Sequence, residues 1–163
     1  MKPGTKRLIG TNPYTLRDFI RESNRIEGIL REPTKREVEA HRSFLGLEEL
    51  RVADVEGLVD RLCGNPLRDR TGRNVYVGSH TPPPGGPHIR EDLGALLENI
   101  NEGTPTPYEA HVAYEKLHPF MDGNGRSGRA IWAWMMLSER RYDPFSLGFL
   151  HRFYYQTLEA SRA

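Results

Sequence analysis

Apolar residues recur along most of this chain at the three-and-four spacing of helices that bury one face. From Thr15 to Leu30 they are Leu16, Phe19, Ile20, Ile26 and Ile29, with Gly28 placed to end or loosen the helix. In Pro33-Thr34-Lys35-Arg36-Glu37, Thr34 followed three residues later by Glu37 reads as a capping box, predicting a helix to about Leu45. Val52 to Leu62 is a further amphipathic stretch, stopped by Gly64-Asn65-Pro66. Ile89 to Ile100 has helical spacing and ends at Asn101-Glu102-Gly103, after which Thr106-Pro107 opens the run from Tyr108 to Leu117. Ala130 to Leu137 follows, and Leu147 to Leu158 is a last amphipathic helix after Asp143-Pro144.

Asp69 to His88 breaks this period. Arg73-Asn74-Val75-Tyr76-Val77-Gly78 is β-branched and aromatic, and the run after it holds four prolines and two glycines. It predicts a short strand, a rigid turn and a returning strand near His88 and Ile89. Pro82 to Pro87 also has the composition of a polyproline ligand, but its place between folded elements favours a loop. The expected architecture is mainly α, about seven helices and one β-hairpin in a single domain over residues 1–163, with 1–12 a loosely held terminus.

Composition narrows the classes. A chain of 163 residues with 37% hydrophobic content can bury a core as one domain. Its 23 basic and 22 acidic residues give a formal charge of +1, no field to favour nucleic acid or an anionic membrane surface. No apolar run approaches a membrane span, and residues 1–10 lack a signal-peptide core. The single cysteine, Cys63, excludes an internal disulfide and fits a reducing, cytoplasmic compartment, where it reads as an inert core thiol.

The chemistry concentrates between the runs ending at Leu117 and beginning at Ala130, in His118-Pro119-Phe120-Met121-Asp122-Gly123-Asn124-Gly125-Arg126-Ser127-Gly128-Arg129. A tight loop entering a helix presents free N–H groups to an anion. Gly123 and Gly125 are expected to allow unusual dihedrals and close approach to a ligand. Arg126 and Arg129, three apart and expected on the first turn, offer forked donors to phosphate oxygens. Asp122 is a hard oxygen ligand suited to a magnesium ion that also binds phosphate. His118 can accept a proton from an incoming hydroxyl. These are the parts of a phosphoryl- or nucleotidyl-transfer site, with Phe120 turned inward to anchor the loop.

That stretch resembles the signature of the Fic family, His-x-Phe-x-Asp/Glu-Gly-Asn-Gly-Arg-x-x-Arg, at every fixed position: His118, Phe120, Asp122, Gly123, Asn124, Gly125, Arg126 and Arg129. The segment Arg73 to Gly78, with its Pro-rich turn, resembles the family's flap hairpin, taken here as 69–89. Ser23-x-x-x-Glu27-Gly28 resembles the family's inhibitory motif, on a helix taken as 14–31. Members usually carry extra domains, for which 163 residues leave no room, so a near-minimal member is expected.

The resemblance implies a protein adenylyltransferase that moves AMP from ATP to a Tyr, Thr or Ser hydroxyl of a target protein, or of itself. His118 would be the base and Asp122 would hold magnesium (or manganese). Gly123, Asn124 and Gly125 would line the anion hole, and Arg126 and Arg129 would grip the leaving pyrophosphate. Val75, Tyr76, Val77 and Gly78 would pair with an extended target segment. Glu27, with Ser23 and Gly28, would pair with Arg129 where the γ-phosphate must sit.

Alternatives are a kinase-like relative, a de-AMPylase with Glu27 positioning water, and an inactive partner in an antitoxin-like complex. The kinase-like relatives usually carry Lys where this chain has Gly125, and the complete residue set argues against lost activity. His111, two turns before His118, suggests a metal pair but reads more simply as packed. Trp132, Trp134 and Phe153-Tyr154-Tyr155 read as core or interface, with a homodimer left open.

Overall fold

The structure, a computed structural model, describes residues 13–139. Among them are six helices: α1 (Pro13–Ile26), α2 (Lys35–Leu45), α3 (Val52–Leu62), α4 (Pro87–Glu102), α5 (Pro107–Leu117) and α6 (Asn124–Glu139). The predicted helix from Leu147 to Leu158, the aromatic cluster within it and the terminus 1–12 lie outside the described residues.

Helix α6 is the organising element. Ala130 through Met136 are all buried, and a helix apolar on every side must be surrounded. It packs against α1, α2, α3 and α5, while α4 covers α3 and α5. Trp132 and Trp134 are core residues, and Trp134 Nε1 donates to Leu47 O at 2.9 Å.

Local signals place the helix ends. Thr34 Oγ1 accepts from Glu37 N at 3.1 Å and Glu37 Oε2 accepts from Thr34 N at 2.8 Å, the reciprocal pair of a capping box. Helix α4 closes at Gly103, φ 77°. Helix α1 stops at Ile26, earlier than the expected 31, because the chain turns through Gly28, also at φ 77°.

The predicted hairpin is reduced to one antiparallel bridge between Val77 and His80 around Gly78 and Ser79. Its returning strand is absent: His88 and Ile89 belong to α4. Pro82, Pro83, Pro84 and Pro87 have no N–H to give to a ladder. The main chain is held by side chains instead, Asn74 Oδ1 accepting from Gly85 N at 2.9 Å. No described helix is long and apolar enough to cross a membrane.

Candidate active site

Helix α5 ends in His118, a left-handed C-cap at φ 50°, ψ 62°. That conformation costs a non-glycine residue roughly 1 kcal/mol, and its bonds hold it there. His118 N donates to Tyr114 O at 2.9 Å, and ring Nδ1 lies 3.2 Å from Glu115 O. A carbonyl only accepts, so Nδ1 carries the proton and Nε2 keeps a lone pair. Burial lowers the His118 pKa; the bond to Glu115 opposes this, and the charges of Arg68 and His80 push the same way as burial.

The loop that follows is clamped from both sides. Phe120 is buried and bridges to Leu67. Asn124 Oδ1 accepts from Phe120 N and its Nδ2 donates to Phe120 O, each at 2.8 Å. The Asn124 side chain thus closes the loop, and only its main-chain N–H is left for the expected anion hole. Gly123 has φ 86°, and a Cβ there would lie 2.8 Å from Cys63 Sγ. The Cys63 thiol is thus a half-buried packing group behind the loop. Gly125, in contrast to expectation, has helical backbone; its missing Cβ leaves the space that Glu27 Oε1 fills.

The first intrahelical bond of α6 runs from Ser127 N to Gly123 O at 3.0 Å. The N–H groups of Asn124, Gly125 and Arg126 therefore stand at the positive end of the helix without intrahelical partners. Arg126, on the first turn, is buried, and its Nε has no hydrogen-bond partner. Among the described residues no carboxylate pairs with it. A buried guanidinium without a counter-ion, at a helix N-terminus, is an anion site by its own electrostatics. Arg129 sits one turn further along, not on the first turn as expected, and its geometry is different.

Arg129 is 1% exposed and held by α1. Its Nε donates to Ser23 Oγ at 2.7 Å, and its Nη2 donates to Ser23 O at 3.0 Å and Glu27 Oε1 at 2.6 Å. Glu27 is 38% exposed and lies over Gly125. The structure thus brings Ser23, Glu27, Gly125 and Arg129 together across the two ends of the described chain.

Asp122 is exposed, with Oδ1 accepting from Gly123 N at 2.8 Å. No cluster of three metal-ligating side chains occurs among the described residues. One carboxylate beside an anion site still suits magnesium, which takes one or two protein oxygens and completes its shell with phosphate and water. His111 is buried, its Nδ1 3.2 Å from Gly128 O, a packed histidine. In the 69–89 segment Tyr76 is 79% exposed, Val75 and Val77 are half-buried and Gly78 is exposed.

Three supporting residues escaped the sequence reading. Ser127, at a variable position of the signature, donates to Gly123 O at 2.7 Å and bonds Tyr114 OH at 2.6 Å. Tyr114 falls on the apolar face of α5 and was legible only as core. Arg68, 0% exposed, has no local signal at all; it binds the His118 and Leu117 carbonyls.

Comparison with known proteins agrees with this geometry. Residues 38–136 match the model of the Fic/DOC family. Proteins named Protein adenylyltransferase Fic are similar: that of Drosophila willistoni is 33% identical over 102 residues, that of Drosophila grimshawi 37% over 101, and that of Aedes aegypti 32% over 119. These alignments cover 55%, 55% and 66% of this chain, but only 18%, 19% and 22% of the relatives. Helix α1 with Ser23, and Glu27 just after it, lie ahead of the family match. Well over half the chain, including the whole loop from His118 to Arg129, falls within that match: the chain belongs to the Fic/DOC family.

Proposed function

We propose that this chain is a protein adenylyltransferase that moves AMP from ATP to a hydroxyl side chain of a target protein or of itself, held off by Glu27. The observation that carries this reading is Arg126, a buried guanidinium with no counter-ion among the described residues, beside the free N–H groups of α6. The names of the relatives agree with it.

In this reading His118 Nε2 takes the proton of a Tyr, Thr or Ser hydroxyl as its oxygen bonds to the α-phosphorus. The bond from that phosphorus to the bridging oxygen breaks, and pyrophosphate leaves. The N–H groups of Gly125 and Arg126, with the Arg126 guanidinium, stabilise the departing negative charge. Asp122 would hold magnesium (or manganese), which would supply further charge neutralisation on the phosphates. Val75 to Gly78 would receive an extended target segment by main-chain pairing; neither Val75 nor Tyr76 has a main-chain hydrogen bond among the described residues. One cysteine and no excess charge suit work in the cytoplasm.

Autoinhibition follows from Arg129. Its Nη2 serves Glu27, so the γ-phosphate of ATP must compete for the same guanidinium. One observation favours a second direction of reaction. The Glu27 carboxylate lies over Gly125, in the loop that His118 opens, where it would orient a water that removes AMP.

Incubating the Glu27→Gly protein with α-labelled or γ-labelled ATP tests the reading. Protein-bound α-label is the expected result. Label from the γ position alone would make the chain kinase-like, and no transfer of either label would sink the proposal.

A further inference from the structure

The last three carbonyls of the α5 end have no partner within that helix, and the 67–86 segment supplies all three. His80 Nε2 bonds Lys116 O at 2.9 Å, Arg68 Nη2 donates to Leu117 O at 2.9 Å, and Arg68 Nε donates to His118 O at 2.6 Å. The remaining nitrogen of Arg68, Nη1, donates to Arg73 O at 3.1 Å and Pro83 O at 2.8 Å, at the two ends of the excursion that carries Tyr76. The Arg68 main chain adds N–H to Pro119 O at 2.8 Å and accepts from Gly86 N at 2.9 Å.

Arg68 is fully buried, and no carboxylate pairs with it among the described residues. Its charge is met by carbonyl dipoles, two of them at the negative end of a helix. Such a placement is costly unless every donor is used, and here each guanidinium nitrogen is bonded. A stabilising role alone is better served by an apolar residue. What the fork adds is geometry: a planar set of donors fixes four carbonyls from two separate parts of the chain relative to one another.

We propose that Arg68 is a positioning residue for transfer: one guanidinium sets the main chain of His118 and the base of the 74–83 excursion together. The separation between the base and the target-binding edge is thereby constant. This rests on the reading of His118 as the base and of Val75 to Gly78 as the docking edge. Lysine keeps the charge but cannot span the four carbonyls, and glutamine loses both. The charged or titratable side chains felt by His118 are Arg68, His80 and Glu27.

The test uses histidine-labelled and amide-labelled full-length protein carrying Glu27→Gly, with Arg68 intact, Arg68→Gln or Arg68→Lys. Transfer from α-labelled ATP, ATP affinity and the NMR titration of His118 are measured on each. Both substitutions should cut transfer about 10-fold or more through misplacement of the base, shift the Val77 and His80 amides, and leave ATP affinity in place. The His118 midpoint should rise in Arg68→Gln, where a nearby cation is lost, and stay in Arg68→Lys. Wild-type transfer in Arg68→Lys overturns the proposal, as does reduced transfer with unmoved Val77 and His80 amide signals. If Arg68→Gln does not fold, Arg68→Lys decides by the same criteria. Absence of transfer with Arg68 intact would refute the adenylyltransferase reading instead, and the NMR arm still judges whether Arg68 positions both parts.

Discussion

Arg129 and Glu27, 102 residues apart, are joined by a 2.6 Å hydrogen bond between a buried guanidinium and a half-exposed carboxylate. In the proposed function this bond closes the site from the α1 side. Two routes could open it, and magnitudes separate them. Lifting α1 away would expose Leu16, Phe19 and Ile20, all fully buried, at about 1.5–3 kcal/mol each. Swinging Glu27 out breaks one charge-assisted bond, about 1.5–3 kcal/mol, and leaves Arg129 bonded to Ser23. The side-chain swing is the cheaper route by several kcal/mol.

Glu27→Gly should therefore raise transfer, including self-modification, about 10- to 100-fold. Glu27→Gln keeps the bulk without the charge and should fall between that variant and wild type. Label incorporation and ATP affinity, measured together, check this. Wild-type values for both variants would make α1 a purely structural helix.

His118→Ala should lose transfer by about 10²–10⁴-fold while ATP binding survives, because the groups proposed to hold the phosphates lie on α6. The pH profile carries a sign. Burial, with the charges of Arg68 and His80, holds the His118 pKa below its ordinary value. The imidazole is a base only above that pKa, so transfer should persist below pH 6.5, the usual midpoint, and fall at more acid pH. A rate that drops through pH 7 would contradict the assigned environment.

Transfer should require magnesium or manganese, and Asp122→Ala should weaken the response to added metal. Titrating the ion against transfer in both proteins reads this directly. Unchanged transfer in excess EDTA would remove Asp122 from the role.

Stability should fall on acidification through two buried histidines. Burial is the main cause that lowers His41 and His111 to about 4. Each takes up a proton in the unfolded chain near pH 6.5 and in the folded chain only near 4, so folding stability is complete above 6.5 and is lost between those values. The slope is about 1.4 kcal/mol per pH unit for each proton. Urea unfolding at several pH values should show a slope about one proton smaller in His41→Gln. An identical slope would mean that His41 is not held neutral.

Much of this protein is written locally. The capping box of Thr34 and Glu37, the stop at Gly103 and the opening at Thr106-Pro107 each act within one turn. Sequence spacing alone therefore places five of the six described helices to within a few residues. The loop from His118 to Arg129 was legible for the same reason, all its residue types falling within twelve positions. The hairpin failed because β-propensity at Val75 to Val77 met a proline run that cannot pair.

What the tertiary structure alone decided are the long-range polar bonds. Nothing near Arg68 in the chain distinguishes it from the other basic residues, yet its bond to His118 O spans 50 positions. Arg126 and Arg129 read as an equivalent pair by type and spacing, only the resemblance setting Arg129 against Glu27; the fold leaves Arg126 without a carboxylate among the described residues and gives Arg129 to Ser23 and Glu27. Periodicity records which face of a helix avoids water. It carries no record of which carbonyl or carboxylate a buried guanidinium will meet, because that partner arrives only when the helices pack.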